Sequence, residues 1–411
     1  MKKLLSILML SVPSLLMAQT TSFSKEQMDT LLMDKMFKTS SVGMMVWDLT
    51  ADTLVYKFNE QQLLRPASTM KLLTAITACD QLGPDYQFTT RLYYTGKVEG
   101  NKLKGDIYCV GGMDPMFDEY DMAACVNALR ELGVDTLEGN ILADLSMKDT
   151  LYWGEGWCWD DDNPSLSPLL VKRQNRFTKQ LVDRLLADSV EFINVGLGQW
   201  TCPEDATLLC TRAHSIRNVM YKMMKDSDNL YAESMFYQLA TPSGKRHVTA
   251  DDAKDYERQL MKKAGLNPEN YRLADGSGLS LYNYLSAEAE VKLLRYTWKQ
   301  KRIYDQLLPT LPIAGIDGTL KNRMEFTSAD GNVQAKTGTL TGVSSLAGYC
   351  TAPNGNRLCF AIINQGSLRA AVSRDFQDRV CILLTSGELV KAKPQPKPQT
   401  KKRVVHKRRR R

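Results

Sequence analysis

Arg65-Pro66-Ala67-Ser68-Thr69-Met70-Lys71-Leu72-Leu73-Thr74-Ala75 is the stretch on which the reading of this chain turns. It leads into a mostly apolar segment, Ser68 to Leu82, that stops at Gly83-Pro84. That pattern predicts a buried helix beginning at Ser68. Positions i and i+3 share a helix face, so the Lys71 amine is expected beside the Ser68 hydroxyl. A serine hydroxyl is a poor nucleophile without a neighbouring base, and a buried lysine can lose its proton and serve. The free N–H groups of a first helical turn also favour developing negative charge. Alone the pattern is weak, because an N-cap serine followed by a solvated lysine gives the same letters.

Two further groups strengthen it. Ser227-Asp228-Asn229 lies between two helical stretches, expected at His214–Met224 and Leu230–Leu239. By itself it reads equally well as a helix cap. Lys336-Thr337-Gly338 lies in a strand expected over Asn332–Leu340, followed by strands over 344–351 and 358–364 with Asn354-Gly355 as their hairpin turn. Strand alternation places Lys336 and Gly338 on one face, and a glycine there lets a substrate backbone lie close. By itself a surface lysine on a strand is the simpler reading.

The three groups in this order are those of class A β-lactamases and penicillin-binding proteins. More of the chain, from about Val42 to Ser386, resembles the penicillin-binding protein 4 type of D-alanyl-D-alanine carboxypeptidase/endopeptidase. Gly111-Gly112-Met113-Asp114-Pro115, Asp275-Gly276-Ser277-Gly278-Leu279-Ser280 and Leu311 to Leu320 are similar to stretches of that family. The resemblance implies an α+β, β-lactamase/transpeptidase-like fold: an antiparallel sheet flanked by helices. A strand-rich domain is then inserted between the Ser-x-x-Lys helix and the Ser-Asp-Asn loop.

It also implies roles. Ser68 is the nucleophile and Lys71 its base, with Ser227 and Lys336 passing the proton to the departing D-alanine. Asn229 holds the substrate amide. Thr337, Gly338 and Thr339 bind substrate, and the backbone N–H groups of Ser68 and Thr339 form the oxyanion hole. Expected partners are peptidoglycan stem peptides, with β-lactams as covalent inhibitors. Two departures stand out. Met113 replaces the family's usual third glycine, and the separation of Lys71 and Ser227 by 156 in residue number leaves little room for a second nested insertion.

The organisation expected from this reading is an export signal over 1–18, a catalytic domain over 19–85 and 200–388, a strand-rich insert over 86–199, and a disordered basic tail over 389–411. Lys2 and Lys3 precede a largely apolar run, Leu4 to Met17, with the small Ala18 after it. The run is shorter than the roughly 20 residues that span a bilayer, which points to a cleaved signal and a periplasmic or other extracytoplasmic location. The formal charge is +7, but eleven Lys and Arg lie from Lys391 onward. Without these and Lys2 and Lys3 the body carries −6, which argues against nucleic acid and leaves the tail suited to an anionic envelope surface.

No His/Cys cluster suggests a metal, and no nucleotide motif suggests a cofactor. Nine cysteines allow disulfides in an exported chain, Cys202 and Cys210 being the closest pair in sequence. His214 reads as a helix-surface or core residue rather than part of a triad. The competing functions are a β-lactamase, which requires fast deacylation, and a non-catalytic wall-binding or β-lactam-sensing protein of the same fold.

Overall fold

Alternate residues along the first long strand point into two different cores. In β1 (Ser41–Asp48), Val42, Met44 and Val46 face one cluster while Met45 faces the other. A strand covered on both faces reads as continuously apolar, as this one does. The computed structural model describes residues 23–392. The expected export signal lies outside the described residues, as does the tail from residue 393 onward.

Before β1 comes α1 (Lys25–Leu32), capped by Ser24, whose hydroxyl accepts the Gln27 N–H while the Gln27 side chain accepts the Ser24 N–H. Helix α1 stops at Leu32, and Asp34 caps a separate 3-10 turn, Lys35–Lys38. Next come β2 (Thr53–Phe58) and α2 (Met70–Gln81). The following region holds β3 (Gln87–Tyr94), β4 (Lys97–Glu99), β5 (Lys102–Lys104), β6 (Ile107–Val110), α3 (Glu119–Glu131), β7 (Thr136–Asp144), α4 (Phe177–Ala187), β8 (Glu191–Gln199) and β9 (Thr207–Ser215). Helices α5 (Ile216–Lys225), α6 (Asn229–Gln238), α7 (Ala250–Lys263), α8 (Ala287–Lys299) and α9 (Lys301–Leu307) follow. The chain then forms β10 (Gln334–Leu340), β11 (Val343–Thr351), β12 (Arg357–Gln365) and α10 (Ala370–Ser386).

Two sheets result. The first has the order β10-β11-β12-β1-β2 and is antiparallel throughout. One face packs on α10 and α1 through Phe360, Ile362, Phe376 and Val380, and the other on the central helices. The second sheet has the order β4-β5-β7-β6-β3-β9, with β8 also paired to β7. It has its own core, built from Leu92, Ile107, Phe117, Val126, Leu137, Phe177 and Leu181 among others. The expected boundary at residue 199 does not follow this sheet. Strand β9 pairs with β3 from Gln87↔Ser215 onward, so the strands of the inserted region run to Ser215. The helix expected from His214 accordingly starts at Ile216, with Ser215 as its cap.

The Gly111–Asp114 segment joins the two units. A Cβ on Gly111 would lie 2.5 Å from Pro168 backbone, and one on Gly112 2.2 Å from the Thr89 carbonyl oxygen. Met113 has φ +52°, the left-handed region that favours glycine, so its substitution costs about 1–2 kcal/mol of backbone strain. Its side chain offsets this by complete burial in the central helical core. Asp114 is buried and accepts from His214 Nδ1 at 2.7 Å, so His214 ends a strand and ties it to this segment. The Asp114 carboxylate holds His214 above its ordinary pKa, and burial holds Asp114 above its own.

Candidate active site

The residues around Ser68 are held by backbone that only special positions allow. Ala67 has φ +50° and begins a short 3-10 turn, Ala67–Thr69, that leads into α2. Gly278 packs on this turn so closely that a Cβ there would be 1.9 Å from the Ala67 carbonyl oxygen. Gly338 packs on its other side, where a Cβ would be 2.7 Å from the Pro66 oxygen and 2.9 Å from the Ser68 nitrogen. The expected reason for Gly338 was room for a substrate backbone. The structure shows instead that the nucleophile turn itself occupies that room.

Lys71 is fully buried. Its Nζ donates to Ser68 Oγ at 2.9 Å, to Asn229 Oδ1 at 2.8 Å and to the Ser277 carbonyl oxygen at 2.7 Å. Burial depresses its pKa to about 8, and nearby Asp275, Glu233 and Asp228 pull the other way. Asn229 thus orients the lysine, a contact that the expected role in holding the substrate amide did not include.

The Ser277 carbonyl is presented by a clamp of buried carboxylates. Glu233 accepts the Ser277 N–H at 2.8 Å, and Asp275 accepts the N–H groups of Gly278 and Ser280, each at 2.7 Å. Asp275 also accepts from Trp157 Nε1 at 2.7 Å, which ties the 153–168 loop to this corner. This is the physical content of the Asp275–Ser280 stretch. Its role as a third partner of Lys71 was not foreseen.

The Ser227-Asp228-Asn229 group divides its labour. Asp228 is the N-cap of α6 and accepts from the Tyr231 N–H at 3.3 Å, which is the cap reading. Ser227 has φ +60°, and its Oγ accepts from Lys336 Nζ at 2.7 Å. Lys336 is also fully buried, and burial together with the Lys71 charge drives its pKa well below the ordinary value. The four side chains Ser68, Lys71, Ser227 and Lys336 thus stand together, with Asn229 bridging to Lys71.

Strand β10 forms the far wall. It is an edge strand, and the Leu311–Leu320 stretch covers only its first part. The Ala335 N–H donates to the Pro312 oxygen at 3.0 Å, so it points away from β11. Backbone groups alternate along a strand, so the N–H groups of Thr337 and Thr339 also point outward, into the cleft. The covering stretch is pinned by buried Lys225, which donates to the Leu311 oxygen at 2.6 Å and to Asp317 at 2.5 Å. Beyond Gly318 a cavity of about 530 Å³ opens, lined by Ser68, Ser227, Thr319, Thr337, Thr339 and Arg374 among others. Arg374 donates to Thr339 Oγ1 at 3.3 Å and supplies a cation that motif reading missed. A second lobe of about 720 Å³ lies across Ser227, between Asn229 and the insert residues Asp162–Ser165 and Lys172–Arg176.

Beneath the turn, Thr69 Oγ1 contacts the Glu290 carboxyl and donates to the Pro66 oxygen at 2.8 Å. Burial raises Glu290 to about 8, and its Oε2 has no partner. Folded protein therefore binds a proton that unfolded protein releases between about pH 4.5 and 8, so this contribution to stability falls as pH rises through that window. Glu290→Gln is expected to remove that slope and to stabilise the protein by a few kcal/mol at pH 8 while changing little at pH 4. Urea unfolding at both pH values checks this; an unchanged difference between them would contradict it.

The D-Ala-D-Ala carboxypeptidase 3 (S13) family model matches residues 24–169 and 167–386. The chain belongs to that family. Among S13 relatives, the D-alanyl-D-alanine carboxypeptidase of Haemophilus influenzae is 26% identical, over 80% of this chain and 86% of that protein. The D-alanyl-D-alanine carboxypeptidase of Actinomadura is also 26% identical, over 83% of this chain and 81% of its own length. The crystal structure of Haemophilus influenzae penicillin-binding protein 4 superposes with TM-score 0.77 at 23% identity, over 82% of this chain and 93% of that one. The chain thus has the fold of penicillin-binding protein 4, an α+β arrangement of helices on an antiparallel sheet. Among the described residues no helix is long and apolar enough to cross a membrane.

Proposed function

We propose that this S13 protein is an exported serine D,D-peptidase that cleaves D-alanyl-D-alanine bonds of peptidoglycan stem peptides through an acyl-enzyme on Ser68. The observation that carries this is the buried Lys71 amine, 2.9 Å from Ser68 Oγ with its pKa lowered to about 8. Near neutral pH part of the population holds a neutral amine able to take the hydroxyl proton. The Ser68 oxygen then attacks the scissile carbonyl, whose oxygen is stabilised by the N–H groups of Ser68 and Thr339. The proton reaches the departing amine through Ser227 and Lys336. Thr337, Thr339 and Arg374 suit the carboxylate of the leaving fragment. Water completes the cycle by hydrolysing the ester. Carboxypeptidase and crosslink endopeptidase action share this acyl-enzyme and differ in the size of the released fragment.

Relatives support the substrate class by name, and a Haemophilus influenzae structure was solved in complex with a β-lactam. For this chain the test is covalent labelling. Protein incubated with a fluorescent penicillin is digested, and the adduct is located by peptide mass. The expected result is one stable adduct, on Ser68. Folded protein that leaves the penicillin intact would favour the non-catalytic binding protein, and rapid consumption without a lasting adduct would favour a β-lactamase.

A further inference from the structure

All nine cysteines carry free thiols. Cys79, Cys109, Cys350, Cys359 and Cys381 are scattered through apolar cores, where burial raises each thiol and leaves it inert. Cys125 and Cys210 differ, because the packing of α3 on β9 brings them face to face. The contact is anchored by Arg212 Nε, which donates to Asp121 Oδ1 at 2.8 Å, with His214 Nε2 3.7 Å from the other oxygen of Asp121. From Asp121, Cys125 is one helical turn further on, about 6 Å along the same face of α3. From Arg212, Cys210 is two residues back, about 6.6 Å along the same face of β9. The Cys125 and Cys210 thiols are hydrogen-bonded to each other, so these two steps, one forward along α3 and one back along β9, end at the same place.

The burial pattern agrees. Cys210, Arg212 and His214 pair across the ladder with Leu92, Thr90 and Phe88, all buried, so this face of β9 is the covered one. Cys125 lies wholly inside the same core, and Cys210 packs against it while half-exposed. Cys202, the neighbour in sequence, lies on the opposite face, in a cavity with Thr89, Arg91 and Tyr93.

We propose that Cys125 and Cys210 form an oxidation site that closes a disulfide between α3 and β9 on reaction with a small disulfide oxidant. Cys210 is the attacking sulfur. It is the accessible member, and the Cys125 thiol and the Arg212 guanidinium both stabilise its thiolate, drawing its pKa below the ordinary value. The Cys210 thiolate attacks one sulfur of the reagent, whose S–S bond breaks. One thiolate leaves and takes up a proton, and a mixed disulfide remains on Cys210. The Cys210 thiolate and burial hold the Cys125 thiol above its ordinary pKa; once that thiolate is consumed in the mixed disulfide, Cys125 gives up its proton to solvent and attacks the Cys210 sulfur, expelling the second reagent thiol. Two protein thiols are oxidised and one reagent disulfide is reduced to two thiols. The bond would fix β9, which runs directly into α5 and the Ser227 loop. The site does not depend on the peptidase reading.

The full chain is treated with oxidised glutathione, digested without reduction and mapped by mass. A Cys125–Cys210 linked peptide is expected, with titratable thiols falling from nine to seven and returning to nine with dithiothreitol. Cys125→Ala is expected to arrest Cys210 as its glutathione mixed disulfide, and Cys210→Ser to leave Cys125 unmodified. A Cys202–Cys210 link, or both thiols still free in folded wild-type protein, would overturn the proposal. The wild-type map decides this even where a variant fails to fold.

Discussion

Lys71→Arg is expected to lower the rate of Ser68 acylation by about 10²–10⁴, leaving a small residual rate. The reason lies in the protonation state. The pocket holding Lys71 excludes water and offers three acceptors, Ser68 Oγ, Asn229 Oδ1 and the Ser277 oxygen. Burial depresses the amine from its ordinary 10.5 to about 8. At pH 7 a group with that pKa is about one-tenth neutral, roughly 300 times more than an unperturbed lysine. Arginine satisfies the same acceptors in part, but its guanidinium never gives up its proton in this range.

The pH profile separates a lost base from lost packing. Wild-type acylation should rise as pH passes through about 8 and then level off, because the active form is the deprotonated one. The residual rate of the arginine variant should be flat over the same range. Stopped-flow measurement with a chromogenic penicillin gives both curves. An arginine variant that keeps a tenth or more of the wild-type rate would move the base to another residue. The arrangement has a stability cost, since the folded state holds a lysine that resists its charge. Unfolded protein binds that proton up to pH 10.5, so this contribution to stability rises between about pH 8 and 10.5.

How far the sequence led depended on what each motif letter contacts. The β11–β12 hairpin was readable because its strands are continuously apolar and Asn354-Gly355 supplies the turn between them. Ser68, Lys71, Ser227 and Lys336 were readable as a set because three short motifs stand in one order, although each motif alone has a simpler reading. The Ser277 carbonyl was not readable, since a backbone oxygen has no letter. Its place depends on Glu233, 44 positions away, taking the Ser277 N–H. Arg374 was hidden for a similar reason: on a helix, an arginine facing a cavity and one facing solvent give the same pattern. The full extent of β9 was not readable, since polar and apolar residues alternate only weakly along Thr207–Ser215.

The second large effect is expected from a single methyl group. Gly338→Ala should lower acylation by about 10²–10³, the usual cost of losing an oxyanion donor. The added Cβ would lie 2.1 Å from Ser345 Oγ, 2.7 Å from the Pro66 oxygen and 2.9 Å from the Ser68 nitrogen. Real Cβ contacts are not that short, so something must move. The Ser345 hydroxyl could rotate, although it now donates to the Pro66 oxygen at 2.5 Å. The other two atoms are backbone and belong to the turn that carries the nucleophile. Relief therefore requires β10 and that turn to separate, which parts the N–H of Ser68 from that of Thr339. The overpacking itself should cost about 1–3 kcal/mol, small enough to leave the protein folded. Adding Ser345→Ala removes only the hydroxyl contact. If the double variant regains wild-type acylation, the side chain and not the close backbone approach explains Gly338; if it stays slow in a folded protein, the two N–H groups must be held at this separation for Ser68 to react.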